Sequence, residues 1–178
     1  MNKFKIIKEF SIYSFGPVVN IFIGLISAPI TTRLLLPEEF GKATMFSVLV
    51  SVLSVIVMFG FAYSFLREYH ESTQKKKLLS SSFIFNLFNL AVLAIFSLVF
   101  SEYLSSLLFS STEYQYMIVA LLLQILFNNI HFYSSSILRM EGKALLYSTF
   151  TVTLRLLSFI CTILLLLLFS KDFRMIII

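Results

Sequence analysis

The sequence predicts an all-α integral membrane protein with five transmembrane helices. Three observations predict it. Of 178 residues, 58% are hydrophobic and only 13% are charged, where a soluble domain averages about 25% charged. Phe10–Thr32, Ala43–Leu66, Leu78–Ser101 and Tyr114–Leu138 carry no charge, and Ala144–Ser170 carries only Arg155. Each stretch reaches the roughly 20 residues a spanning helix needs. None alternates as a strand would, and backbone groups in lipid must bond within their own segment, so each is expected to be a helix.

Taken in order, Lys3, Lys5 and Lys8 precede the first span. They resemble the start of a signal peptide, but the apolar stretch that follows is too long for one and lacks a small-x-small cleavage site. Asn2–Glu9 alternates Lys with Phe and Ile, which fits either a surface-lying segment or a frayed helix end. The first span runs into Arg33, then Pro37, Glu38 and Glu39. Pro37 suits the first turn of the next helix, and the two acids suit the positive end of its dipole. Gly41 is expected to leave room for close packing as span two begins. Ser101–Ser111 has Tyr103, Leu104, Leu107 and Leu108 at helical spacing and reads as a second surface segment or a frayed end. The spans are expected at about 10–36, 41–67, 78–101, 114–138 and 144–170, in one transmembrane domain covering residues 1–178. The chain ends "KDFRMIII" as a sixth apolar run could begin, so the expectation is an incomplete lobe, inactive by itself.

The loops orient the spans. Lys3, Lys5, Lys8, Arg67, Lys75, Lys76, Lys77, Arg139 and Lys143 fall on one side; Arg33, Lys42, Lys171 and Arg174 fall on the other. Nine against four places the N-terminus in the cytoplasm and the C-terminus outside. The net charge of +5 is thereby explained by loops flanking spans, and nucleic acid is not an expected partner.

Polar residues recur inside the spans at helical spacing. Span one carries Tyr13, Pro17, Asn20, Gly24, Ser27 and Thr31. Span two carries Ser47, Ser51 and Ser54, and span three Ser82, Asn86 and Asn89. Span four carries Gln124, Asn128, His131, Ser135 and Arg139, and span five Ser148, Thr151, Arg155, Ser158 and Thr162. Small and amide residues at such spacing pack helices together, and for spans two and three that is the reading we adopt. The stripe of span four is more polar than packing requires, and a water-filled cavity would satisfy it at lower cost. Both readings stand for spans four and five.

Arg155 is the sharpest single residue. It lies near the middle of its span, where Arg costs roughly 2.5–3.5 kcal/mol on the insertion scale. None of the nine acidic residues lies within a span. An anionic ligand, an acid elsewhere, or water and Asn side chains could offset the charge; a long snorkel to the interface is the remaining alternative. Arg33 and Arg67 stand at span ends, where snorkelling is easy. Cys161 is alone, and His70 and His131 are too scattered for a metal. No nucleophile–base pair, phosphate loop or metal set is present, so neither catalysis nor a cofactor is expected.

Three segments carry a resemblance. "TRLLLPEEFG" holds Arg33, Pro37, Glu38, Glu39, Phe40 and Gly41. "GFAYSFLREYHE" holds Gly60, Arg67 and Tyr69. "ILRMEGKALLYS" holds a Leu-Arg…Gly-Lys turn between spans four and five. In this order and at these intervals they resemble the polysaccharide flippases of the Wzx type, in the multidrug/oligosaccharidyl-lipid/polysaccharide exporter superfamily. Such proteins often carry a polar or acidic residue where Ala62 stands here. The resemblance implies the N-terminal part of a transporter with twelve or more spans in two lobes. It implies movement of an undecaprenyl-diphosphate-linked oligosaccharide across the bacterial cytoplasmic membrane by alternating access, for O-antigen or capsule assembly. Lipid-linked oligosaccharide and membrane lipids are then the partners, with a polysaccharide polymerase and a chain-length regulator as further candidates. The candidate substrate-binding residues are Arg155, Gln124, Asn128, His131, Arg139 and Asn20. Other lipid-intermediate or drug exporters of the superfamily, and a small non-transporting five-span subunit, remain the alternatives.

Overall fold

A computed structural model describes the backbone of residues 3–109 and 114–168, and side chains over 11–106 and 114–166. Among the described residues the chain is built from seven α-helices and no strand: α1 Lys3–Leu34, α2 Pro37–Met58, α3 Phe61–Glu68, α4 Lys75–Val99, α5 Ser101–Phe109, α6 Tyr116–Met140 and α7 Ala144–Leu168. Five of these helices contain segments long and apolar enough to cross a membrane: Ser11–Leu34, Pro37–Met58, Lys75–Val99, Tyr116–Met140 and Ala144–Leu166. The expected end of the fifth span at Ser170 and the charges at Lys171, Asp172 and Arg174 lie outside the described residues.

The apolar stretch of span two is not one helix. Phe59 and Gly60 both take left-handed backbone conformations, with φ of 41° and 78°, and they separate α2 from α3. Left-handed geometry cannot continue a right-handed helix. Glycine meets it without a Cβ penalty, which gives the first residue of the Gly60…Arg67-x-Tyr69 segment a physical role. Pro37 opens α2 with Glu38 and Glu39 in its first turn, as the sequence predicts. Gly41 differs from expectation: a Cβ placed there meets nothing within 4 Å. Ser101–Phe109 forms a helix of its own, with Ser105 fully buried and Tyr103 exposed.

The chain divides into two packing units. Among the described residues, one comprises 3–41 with 134–168 and the other 42–109 with 114–133; α6 begins in the second and ends in the first.

In the first unit α1 packs along α7. Gly16 marks the close approach: a Cβ there would stand 2.9 Å from Thr151 Oγ1 and 3.4 Å from Ser148 Oγ. Small residues allow this in membrane helices, where packing rather than water exclusion drives association. The Tyr13 and Tyr147 rings meet at 5.9 Å between centroids. Tyr13 meets Tyr147 and, three residues on, Gly16 meets Thr151, so α1 and α7 run parallel. Pro17 and Pro29 lie inside α1, where each removes one backbone donor from the helical ladder. Near the second proline, Thr31 and Thr32 return their hydroxyls to carbonyls of the preceding turn, at Ser27, Ala28 and Pro29.

In the second unit α2 buries Ala43, Phe46, Val50, Ser54 and Val57, one face of a helix. From α4 it is Ser82, Asn86, Leu90 and Ser97 that are buried. The part of α6 within this unit contributes Met117, Ile118, Leu121, Ile125, Asn129 and Tyr133. Cross-helix hydrogen bonds tie helices of the unit together. Asn86 Nδ2 donates to Tyr133 Oη at 2.9 Å. Asn89 Nδ2 donates to the Val57 carbonyl at 3.0 Å. Phe65 of α3 stands edge-on to Tyr133 at 5.2 Å, and Phe61 meets Phe85 of α4 at 3.8 Å between ring centroids. Thus α3 continues along α4 in the antiparallel sense that Val57 and Asn89 begin. The packing reading of the polar stripes on spans two and three holds for Ser54, Ser82, Asn86 and Asn89. Ser47 and Ser51 return their hydroxyls to their own helix.

Candidate functional site

Arg155 stands eleven residues into α7, about 16 Å along the helix at 1.5 Å per residue. It is exposed, and among the described residues it makes no hydrogen bond, ion pair or ring contact. Seven residues earlier, on the same helical face, Ser148 is buried against α1. The polar stripe of span five therefore has two parts. Ser148 and Thr151 form the contact with Gly16, and Thr151 spends its hydroxyl on the Tyr147 and Ser148 carbonyls. Beyond them Arg155 and Ser158 are open, and Thr162 returns its hydroxyl to the Ser158 carbonyl.

Asn20 of α1 is partly buried. Its Oδ1 is inaccessible and without a hydrogen-bond partner. Gln124 Oε1 on α6 is likewise buried and unpaired. Asn128 and His131, on the same face of α6, are exposed. The packed face of that helix is a different one, carrying Ile125, Asn129 and Tyr133. Asn128 and His131 are thus solvent-accessible, while Ile125, Asn129 and Tyr133 of the same helix are covered.

Arg139 has a different environment. Its guanidinium lies 5.4 Å from the Tyr147 ring centroid, and its Nη2 donates to Ser136 Oγ at 3.3 Å. Tyr13 Oη donates to the Arg139 carbonyl at 3.4 Å. These contacts join the C-terminal end of α6 to Tyr13 of α1 and to the first turn of α7. There α6 closes in a Schellman turn: Lys143 N–H donates to the Leu138 carbonyl and Gly142 N–H to the Arg139 carbonyl, with Gly142 at φ 70°. That geometry favours glycine after a helix end, and it accounts for the glycine of the Leu-Arg…Gly-Lys segment. Lys143 pairs with Glu141 at 2.7 Å.

The chain matches the polysaccharide biosynthesis protein family model over residues 6–178. The chain belongs to that family. No curated relative and no solved structure matches it. The family assignment agrees with the resemblance to Wzx-type flippases at family level. With five helices of membrane-spanning length, this member of the polysaccharide biosynthesis family is a multi-pass membrane protein. The family supports a general role in handling lipid-linked polysaccharide intermediates.

Within this family member the three sequence segments acquire distinct physical roles. Pro37, Glu38 and Glu39 start α2. Gly60 makes the left-handed break, and Tyr69 is buried beneath Lys75, whose Nζ is 4.7 Å from the ring centroid. Arg33 and Arg67 are exposed in the last turns of their helices. Phe40 is partly exposed at 37%. Sequence reasoning missed two residues. Gly16 was hidden beside the more conspicuous Pro17, although it stands opposite the Ser/Thr spacing of span five. Tyr133 lies off the polar stripe of span four, and only the packing of three helices gives it a partner.

Proposed function

We propose that this chain is the N-terminal part of a flippase that carries an undecaprenyl-diphosphate-linked oligosaccharide across the bacterial cytoplasmic membrane. The observation that carries the reading is Arg155: a guanidinium near mid-helix, exposed and unpaired among the described residues. A permanent cation at that depth requires a counter-charge or water. Guanidinium donors match phosphate oxygens in bidentate geometry and stay charged at every relevant pH. The diphosphate of a lipid-linked sugar supplies the matching anion. Arg139 is committed to Tyr147 and Ser136, and we assign it to holding helix ends together near the cytoplasmic surface. In this reading the N-terminus is cytoplasmic, and alternating access moves the substrate. A polymerase and a chain-length regulator would receive the product.

The test is complementation of a flippase-deficient bacterium with the full-length gene. Arg155→Ala should abolish surface polysaccharide while the protein reaches the membrane at normal level, and Arg155→Lys should retain part of the activity. Normal polysaccharide in the Ala variant would overturn the proposal.

A further inference from the structure

The packing of α1 on α7 gives Arg155 a neighbour. Tyr13 meets Tyr147, and Gly16 meets Thr151 and Ser148. The two helices run parallel, so one further turn brings Asn20 of α1 to the level of Arg155 of α7. Both residues also continue the register of that contact. Asn20 follows Tyr13 by seven positions and Arg155 follows Ser148 by seven, and a seven-residue step returns to nearly the same side of a helix. Packed helix axes lie about 8–10 Å apart, a gap that Arg and Asn side chains directed at each other can bridge.

The hydrogen-bonding inventory fits. Asn20 Oδ1 is buried and has no partner. Leaving such an oxygen unpaired is unfavourable. Arg155 offers five N–H donors in a planar fork. Asn20 is the chemically suitable neighbour. It can accept one of those bonds without cancelling the positive charge, whereas an acid there would neutralise it.

We propose that Asn20 is a positioning residue for Arg155. Its side-chain oxygen accepts one guanidinium N–H as Arg155 engages an anionic lipid-linked substrate, and the remaining donors point at the diphosphate. Gly16 permits the arrangement by bringing the helices close one turn below. This inference rests on the flippase reading for the identity of the anion, but the pairing is a matter of geometry and can be tested separately.

The first arm is cross-linking in the full chain carrying Cys161→Ser. Asn20→Cys with Arg155→Cys should be joined by a short bifunctional thiol reagent, whereas Asn20→Cys with Leu157→Cys should not. Failure of the first pair to link, or equal linking of both, overturns the pairing. The second arm is affinity of the purified full chain for undecaprenyl diphosphate in detergent. Asn20→Ala should weaken binding roughly tenfold, the order expected for a hydrogen bond to a charged group. In an Arg155→Ala background the same change should have little further effect. Equal losses in both backgrounds overturn the positioning role and leave the flippase reading intact. If Arg155→Ala alone leaves affinity unchanged, the anion reading falls together with this role, whatever the cross-link shows. Asn20→Gln, which keeps the amide, should recover part of the affinity; no recovery from a variant that reaches the membrane normally counts against the hydrogen bond.

Discussion

Asn89 caps the broken end of span two. Its side-chain N–H donates to the carbonyl of Val57 at 3.0 Å, two residues before the left-handed pair Phe59–Gly60. An unbroken helix would satisfy that carbonyl from the N–H four residues on. The break removes this donor, and in a membrane no bulk water replaces it. A neighbouring helix supplies an amide instead.

Asn89→Leu should therefore destabilise the protein by about 1–3 kcal/mol, the cost of an unpaired buried acceptor. Thermal unfolding of the purified full chain in detergent measures it. If Asn89→Leu and Asn89→Ala both unfold at the wild-type temperature, Val57 does not depend on the cap.

Gly60→Ala should cost about 1–2 kcal/mol, the penalty for a Cβ in the left-handed region. The space around Gly60 is open, so the effect is backbone strain rather than a clash. Gly60→Asn, which tolerates this conformation better, should lower the unfolding temperature less than Gly60→Ala. The reverse order would contradict the assigned geometry.

Gly16→Ala tests the α1–α7 contact. The new methyl meets Thr151 Oγ1 at 2.9 Å, and overpacking of this kind typically costs about 1–3 kcal/mol. Removing the obstacle should restore stability, so Gly16→Ala with Thr151→Ala should unfold later than Gly16→Ala alone. Strict additivity of the two changes would mean that the helices do not meet there.

The Asn86–Tyr133 bond gives a double-mutant cycle. Tyr133→Phe leaves the Asn86 amide without its acceptor and should cost about 1–3 kcal/mol. Replacing both partners, with Asn86→Leu and Tyr133→Phe, should cost less than the sum of the single changes, because neither polar group is then stranded. Denaturant or thermal titration of the four proteins reads the coupling.

Charge distribution and helix order together predict accessibility. A Cys placed at Thr73, in the turn before α4, should react with a membrane-impermeant thiol reagent only after the cells are opened. A Cys at Ser101, where α5 begins, should react on intact spheroplasts. The opposite pattern would invert the orientation expected from the lysines.

The sequence by itself determined the class of protein, the number of spanning helices and the family segments. Long charge-free runs can resolve themselves in lipid only as helices, and Pro37 announces where a helix begins; the break at Gly60, inside a stretch that reads as one span, does not show in the sequence. It also singled out Arg155, because a charge at that depth is costly wherever the helix faces. The tertiary structure decided which polar groups are already spent. Ser148 and Thr151 belong to the same stripe as Arg155, yet they are consumed by the contact with Gly16 while Arg155 remains open. Arg139 belongs to the stripe of Asn128 and His131, yet it is held by Tyr147 and Ser136. Asn89 and Asn86 look alike on one helix, but one caps a carbonyl and the other binds a tyrosine. Periodicity places residues on one face of one helix. Whether a residue on that face meets another helix depends on packing between segments far apart in the chain, and that is settled only when the helices come together.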